Sequence, residues 1–262
     1  MTIAEKLSRA KDDIDAVYEA GYGKGYAEGE ANGTGGYDQG YADGKQAQYD
    51  EFWDRFQDNG NRTNYRQSFS GWRDEYIRPK YKVVPTVARS LSTTFEECPN
   101  VKKFEAKYFD FSQVPYGTAQ NQGAYYTFAS CAALEEIEDV GLSPTFMYTG
   151  TFAWDANLHT IAKITVDENT QFASAFTQTR GLVNLTFEGT IGQNGLNFQH
   201  STKLSKASIS SIINHLSDTT SGLSITLSKT AVNNAFNTVP DIMSPAWNEL
   251  IQRKPNWTIN LL

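Results

Sequence analysis

The chain has 262 residues, enough for one or two domains with a sizeable core. A net charge of −7 offers no cationic surface to nucleic acid or to an anionic membrane. No apolar run approaches the ~18 residues of a membrane span, which leaves no expected membrane insertion.

The first segment, MTIAEKLSRAKDDIDAV, alternates in charge and lacks an apolar h-region, so it does not read as a signal peptide. Its apolar residues Ile3, Leu7, Ala10, Ile14 and Val17 step by 4, 3, 4 and 3. That is a heptad seam, with Ile3, Ala10 and Val17 at a and Leu7 and Ile14 at d. So narrow a stripe on a short helix is marginal alone. It reads either as one strand of a parallel bundle, which makes these five residues an oligomerisation seam, or as an amphipathic helix lying on its own chain.

Residues 21–44 hold a second pattern. Gly21-Tyr22-x2-Gly25-Tyr26-x2-Gly29 recurs as Gly36-Tyr37-x2-Gly40-Tyr41-x2-Gly44. The spacing keeps Tyr22, Tyr26, Tyr37 and Tyr41 within roughly a 100° arc of a helix. Each interior glycine costs such a helix about 1 kcal/mol relative to alanine. Two Gly-Tyr helices packing across a partner chain and a flexible Gly-rich linker therefore both stand. Residues 45–57, KQAQYDEFWDRFQ, place Tyr49, Phe52, Trp53 and Phe56 on one helical face. Residues 58–90 are rich in aromatics without a clear period, and read as an irregular N-terminal cap over whatever follows.

From Leu91 to Ala207 the chain repeats itself. Phe95, Phe128, Phe152, Phe176 and Phe198 lie 33, 24, 24 and 22 residues apart. Six residues after each comes Val101, Leu134, Leu158, Leu182 or Leu204, and three further on Phe104, Ile137, Ile161, Leu185 or Ala207. This F-x5-L-x2-I core, at a period of 20–30 residues, predicts a leucine-rich-repeat solenoid whose units bury their apolar faces only by stacking. Three residues after the phenylalanine come Cys98, Cys131, Asp155, Thr179 and Ser201. The two cysteines read as stacked free thiols, or as a disulfide between rungs roughly 4.8 Å apart.

Beyond the repeats, SKASISSIINHLS (205–217) predicts a helix with Ile209, Ile212, Ile213 and Leu216 on one face. LSITLS (223–228) reads as a strand, KTAVNNAF as a helical turn, PAWNELIQRK as a short helix and NWTINLL as a closing strand. Residues 208–262 then form a C-terminal cap.

The F-x2-C-x2-L-x2-I units resemble the BspA-type leucine-rich repeats of bacterial surface proteins and of phage and prophage proteins of Firmicutes. GYADGKQAQYDEFWDRFQDNGNRTNY resembles an N-terminal module of Firmicutes phage tail or virion proteins. Together the resemblances imply a tail-associated virion protein, made in the bacterial cytoplasm without a signal peptide. It would be a homotrimer through its N-terminal helices, with other tail or baseplate proteins and a host surface protein or glycan as partners. The expected fold is α+β: a helical, coiled-coil stalk (1–57), an aromatic cap (58–90), a short BspA-like solenoid (91–207) and a C-terminal cap (208–262).

No catalytic or metal constellation stands out, and no cofactor is implied. His159, His200 and His215 are far apart and have no ligand neighbour at metal spacing. G-x-S-x-G, P-loop and GxGxxG motifs are missing from the sequence. Glu135, Glu136, Glu138 and Asp139 cluster, and read as a solvated strand face or as an acid–base pair of a glycan hydrolase. A bacterial surface adhesin is the other alternative, and would call for an export signal or wall anchor. Residues flanking the inward anchors should face outward along the strands. That predicts a binding lane of Lys103 and Glu105, Glu136 and Glu138, Thr160 and Ala162, Asn184 and Thr186, and Lys206.

Overall fold

A computed structural model describes residues 69–79, 82–84, 91–114, 123–142, 148–238 and 244–262. The heptad seam, the Gly-Tyr pattern, the helix expected at 45–57 and most of the cap lie outside the described residues. Apart from Pro79, the described residues belong to one compact unit of the chain.

A flat aromatic ring buries both faces only if something flat lies above and below it. Phe95 and Phe128 stack at 5.5 Å and 6°, Phe128 and Phe152 at 6.0 Å and 3°, and Phe152 and Phe176 at 5.4 Å and 22°. Phe198 closes on Phe176 at 4.4 Å and 32°. At the other end Phe69 stacks on Phe95 at 5.1 Å and 11°. The region read as an irregular cap thus contributes a ring to the foot of the column. It also contributes buried Ile77, and Tyr76 bridges in parallel to Lys103.

The backbone around each ring alternates in the direction of its amides. Thr93, Phe95 and Glu97 donate to Tyr125, Thr127 and Ala129 of the next rung at 2.8–2.9 Å, while Thr94 donates back to Leu91. The next step repeats this, with Tyr126, Phe128 and Ser130 donating to Thr149, Thr151 and Ala153. The alternation needs left-handed residues two before and two after the phenylalanine. They are Thr93 and Glu97, Tyr126 and Ser130, Gly150 and Trp154, and Ser174 and Gln178, with φ between 51° and 66°. Each non-glycine among them costs roughly 1–2 kcal/mol, which the inter-rung bonds and ring burial offset.

After each turn the chain runs into a short strand. β1 (Lys103–Phe104), β2 (Glu136–Ile137), β3 (Thr160–Val166) and β4 (Asn184–Gly189) form one parallel sheet in that order. Phe104, Ile137, Ile161 and Leu185 are register partners and all are buried. Val101, Leu134, Leu158, Leu182 and Leu204 are buried beside them. Ala207 departs from the pattern: it is exposed, in helix α1 (Lys206–Asn214). Its neighbour Ser208 does the work instead. The Ser208 hydroxyl accepts from Leu185 N at 2.9 Å and donates to Val183 O at 2.8 Å, and Ser211 Oγ accepts from Phe187 N at 2.9 Å. Two serines on one helix face thereby satisfy the edge amides of β4, which would otherwise invite pairing with another strand.

The chain then builds a second parallel sheet from β5 (Asn197–Phe198), β6 (Leu223–Leu227) and β7 (Trp257–Leu261). Helices α2 (Lys229–Phe236) and α3 (Pro245–Gln252) are N-capped by Ser228 and Ser244, and Pro245 sits in the first turn of α3. Trp247 is buried edge-on to Phe236 at 5.3 Å.

The polar column beside the rings is fully buried. Cys98 and Cys131 are free thiols, and their Sγ atoms donate to Phe69 O and Phe95 O at 3.1 and 3.0 Å. Thr179 Oγ1 donates to Phe176 O at 2.8 Å and lies 2.9 Å from Ser201 Oγ. Asp155, between them in the column, accepts from Cys131 N at 2.8 Å through Oδ1, while its Oδ2 has no partner among the described residues. Burial pushes this carboxyl well above the usual range, against the opposing Cys131 amide.

Leu158→Asp places an unpaired charge in the core and forfeits the ~1.5–3 kcal/mol of a buried leucine, so the folded baseline of a thermal melt should disappear. An unchanged melting curve would contradict the stacking. Asp155 keeps a proton in the folded state that the unfolded chain releases near pH 4, so its contribution is complete below that pH and declines as pH rises. Asp155→Asn keeps the acceptor for Cys131 N without the titration. Its melting-temperature gain over the parent should grow from pH 4 to pH 8, and a gain independent of pH would contradict a neutral buried carboxyl.

Candidate binding face

The outward positions of the first sheet form a registered polar column. Lys103, Glu136, Thr160 and Asn184 are successive partners across β1, β2, β3 and β4. Strands about 4.8 Å apart hold these side chains at fixed intervals on rigid backbone. Lys103 Nζ sits between Glu136 Oε2 at 3.0 Å and Glu138 Oε1 at 2.7 Å. The other oxygen of Glu138 accepts from Ala106 N at 2.7 Å. Glu105 pairs with Lys107 at 2.9 Å. Asn184 Nδ2 donates to Thr160 Oγ1 at 3.4 Å, and His159 Nδ1 lies 3.3 Å from the same hydroxyl. Ala162 and Thr186 are exposed.

The column is therefore ion-paired at its charged end, with one carboxylate in excess, and neutral-polar at the other. The two carboxylates beside Lys103, Glu138 foremost, push its ammonium further up. Lys103, with help from the Ala106 amide, holds Glu138 below the usual carboxylate range. A general acid needs the opposite shift. Lys163 repeats the device two rungs later, between Asp139 Oδ2 at 2.9 Å and Glu188 Oε2 at 3.2 Å, and both raise its pKa.

Lys206 does not join the lane. It is the first residue of α1, after the parallel sheet has ended, and its Nζ lies 5.2 Å from the ring centre of Phe236. The serine-rich stretch 205–211 caps the sheet edge, which diverts the fifth segment from strand to helix. The residues expected to form an oligomerisation seam, Ile3, Leu7, Ala10, Ile14, Val17, Tyr22, Tyr26, Tyr37 and Tyr41, lie outside the described residues.

Two features escaped the sequence reading. A polar cleft of about 240 Å³ is lined by Glu168, His215, Ser217, Asp218, Thr219 and Lys254, among others. There Lys254 Nζ is satisfied by Leu216 O at 2.6 Å and Asp218 Oδ1 at 2.7 Å. The second is an aromatic group of Tyr125, Tyr126 and Trp154. Its signal was present: the position two after the phenylalanine holds Glu97, Ser130 and Gln178 in other rungs, so a tryptophan there should face outward. Comparison with protein-family models, with curated proteins and with solved structures finds no match to this chain.

Because Lys103 is what holds Glu138 down, Lys103→Ala should raise the Glu138 midpoint toward that of a free glutamate, read by carboxyl NMR titration. A depressed carboxyl stabilises the fold above its unfolded pKa and loses that contribution as pH falls through its folded one. The variant should therefore show a shallower loss on acidification, with a change of less than ~1 kcal/mol at neutral pH. An unmoved Glu138 midpoint would contradict the pairing.

Proposed function

We propose that this chain is a non-enzymatic structural protein of a phage tail. Its N-terminal helices anchor and trimerise it, and its leucine-rich-repeat region is presented for host-surface receptor binding or tail assembly. The observation that supports the reading best is the column Lys103–Glu136–Thr160–Asn184: a registered polar face, ion-paired at one end, on a parallel sheet. Such a face suits recognition of a protein or glycan by many modest contacts. The charge of −7 argues against nucleic acid as the partner. The virion assignment rests on the resemblance of GYADGKQAQYDEFWDRFQDNGNRTNY to tail-protein modules, and oligomerisation on the heptad seam.

Light scattering of the full chain at micromolar concentration tests the anchor, with a trimer mass expected. A strict monomer would overturn the stalk. Mass spectrometry of purified particles from a strain carrying the gene tests the location. The chain should be found in the particles, and its absence from them would overturn the virion assignment.

A further inference from the structure

Among the left-handed positions of the rungs, two carry aromatic side chains, Tyr126 and Trp154; the others are Thr93, Glu97, Ser130, Gly150, Ser174 and Gln178. Trp154, at φ 66°, is 48% exposed, although a bulky residue gains nothing from that conformation. Packing of the core does not ask for it, since Glu97, Ser130 and Gln178 occupy the same position elsewhere. Tyr126, at φ 51°, stacks on Trp154 at 6.0 Å and 26°, and Tyr125 adjoins Tyr126 at 4.6 Å. Gly150 makes the arrangement sterically feasible. A Cβ there would stand 2.6 Å from the Tyr126 ring, so only glycine lets that ring lie across the turn toward Trp154. The backbone beneath is fixed by Tyr126 N to Thr149 O at 3.0 Å and Trp154 N to Thr177 O at 2.7 Å.

We propose that Tyr125, Tyr126 and Trp154 form a sugar-binding platform on which one pyranose face of a host-surface glycan stacks. This deepens, and rests on, the receptor-binding reading above. The chemistry of the site selects the occupant. A pyranose offers an apolar C–H face about the size of one indole, rimmed by hydroxyls that need hydrogen-bond partners. Ser130 and Gln178 flank Trp154 in the same column of the rungs, and Gln178 is oriented by Arg180 Nε donating to its Oε1 at 2.8 Å. A protein partner would want a broad apolar centre of several hundred Å². Yet the other exposed large apolar side chains among the described residues are only Val84 and Leu262. The turns that carry Tyr126 and Trp154 are fixed by backbone bonds, so little backbone ordering is needed on binding.

The test uses the full chain and tetrasaccharides of glucose, galactose, mannose and N-acetylglucosamine, followed by the indole N–H resonances of the tryptophans. Saturable movement of the Trp154 resonance with at least one of these sugars is expected. Trp154→Asn, which tolerates the left-handed backbone, should abolish binding; Trp154→Tyr should retain it; and Tyr126→Ser should weaken it about tenfold, the scale of one ring contact. Unchanged melting of the variants separates lost binding from lost folding. Sugar binding that survives Trp154→Asn would overturn the platform while leaving the receptor-binding reading in place. A Trp154 resonance that ignores all four sugars, or that responds instead to tetramethylammonium or to protein concentration, would overturn the platform. Failure of the full chain to adsorb to cells of the strain infected by its particles would overturn the receptor reading itself.

Discussion

A phenylalanine ring in a segment of some two dozen residues has no interior to enter. It is buried here because the same ring recurs directly above and below it, and because alternate amides tie each turn to the next. Six rings from Phe69 to Phe198 form this column, and every other feature of the described residues takes its position from it. The left-handed residues exist to point alternate amides at the next rung. The short strands follow because the aliphatic residue six positions on must return to the same interior. The sheet face is regular because the strands inherit the spacing of the stack.

The same constraint explains where polar groups are tolerated. The column of Cys98, Cys131, Asp155, Thr179 and Ser201 is buried, yet it sits beside carbonyls and amides of the turns, so most of its members find a backbone partner. Within that column Asp155 keeps its Oδ2 without a partner among the described residues, and burial keeps it protonated to a higher pH than an ordinary carboxyl. On the outside, lysines sit between carboxylates of neighbouring strands, so acidic residues are displayed without mutual repulsion.

Spacing made part of this legible in the sequence. The anchors Phe104, Ile137, Ile161 and Leu185 are buried at regular offsets from a phenylalanine, and their register in the sheet is the register of that alignment. Phe69 was hidden because its segment reaches Ile77 in eight residues rather than nine and places Glu75 where an aliphatic is expected. The edge closure by Ser208 and Ser211 was hidden because a serine in a helix carries no sign that its hydroxyl will meet a neighbouring strand; Lys206 was accordingly assigned to a strand face it does not share. The left-handed turns were hidden because Glu97, Ser130, Trp154 and Gln178 are not residues that favour φ > 0. The aromatic platform needed both facts, the outward turn position and the space left by Gly150, before its rings could be seen as neighbours.

The central claim is that the rungs are held as one cooperative stack by the amides of Phe95, Phe128 and Phe152, which donate to Thr127, Thr151 and Ala175. Native-state hydrogen exchange of these three amides measures that directly. The account predicts slow exchange at one common protection, equal to the free energy of global unfolding. Rapid exchange at any of the three, or protection that differs between them by more than the spread of neighbouring core amides, would contradict it.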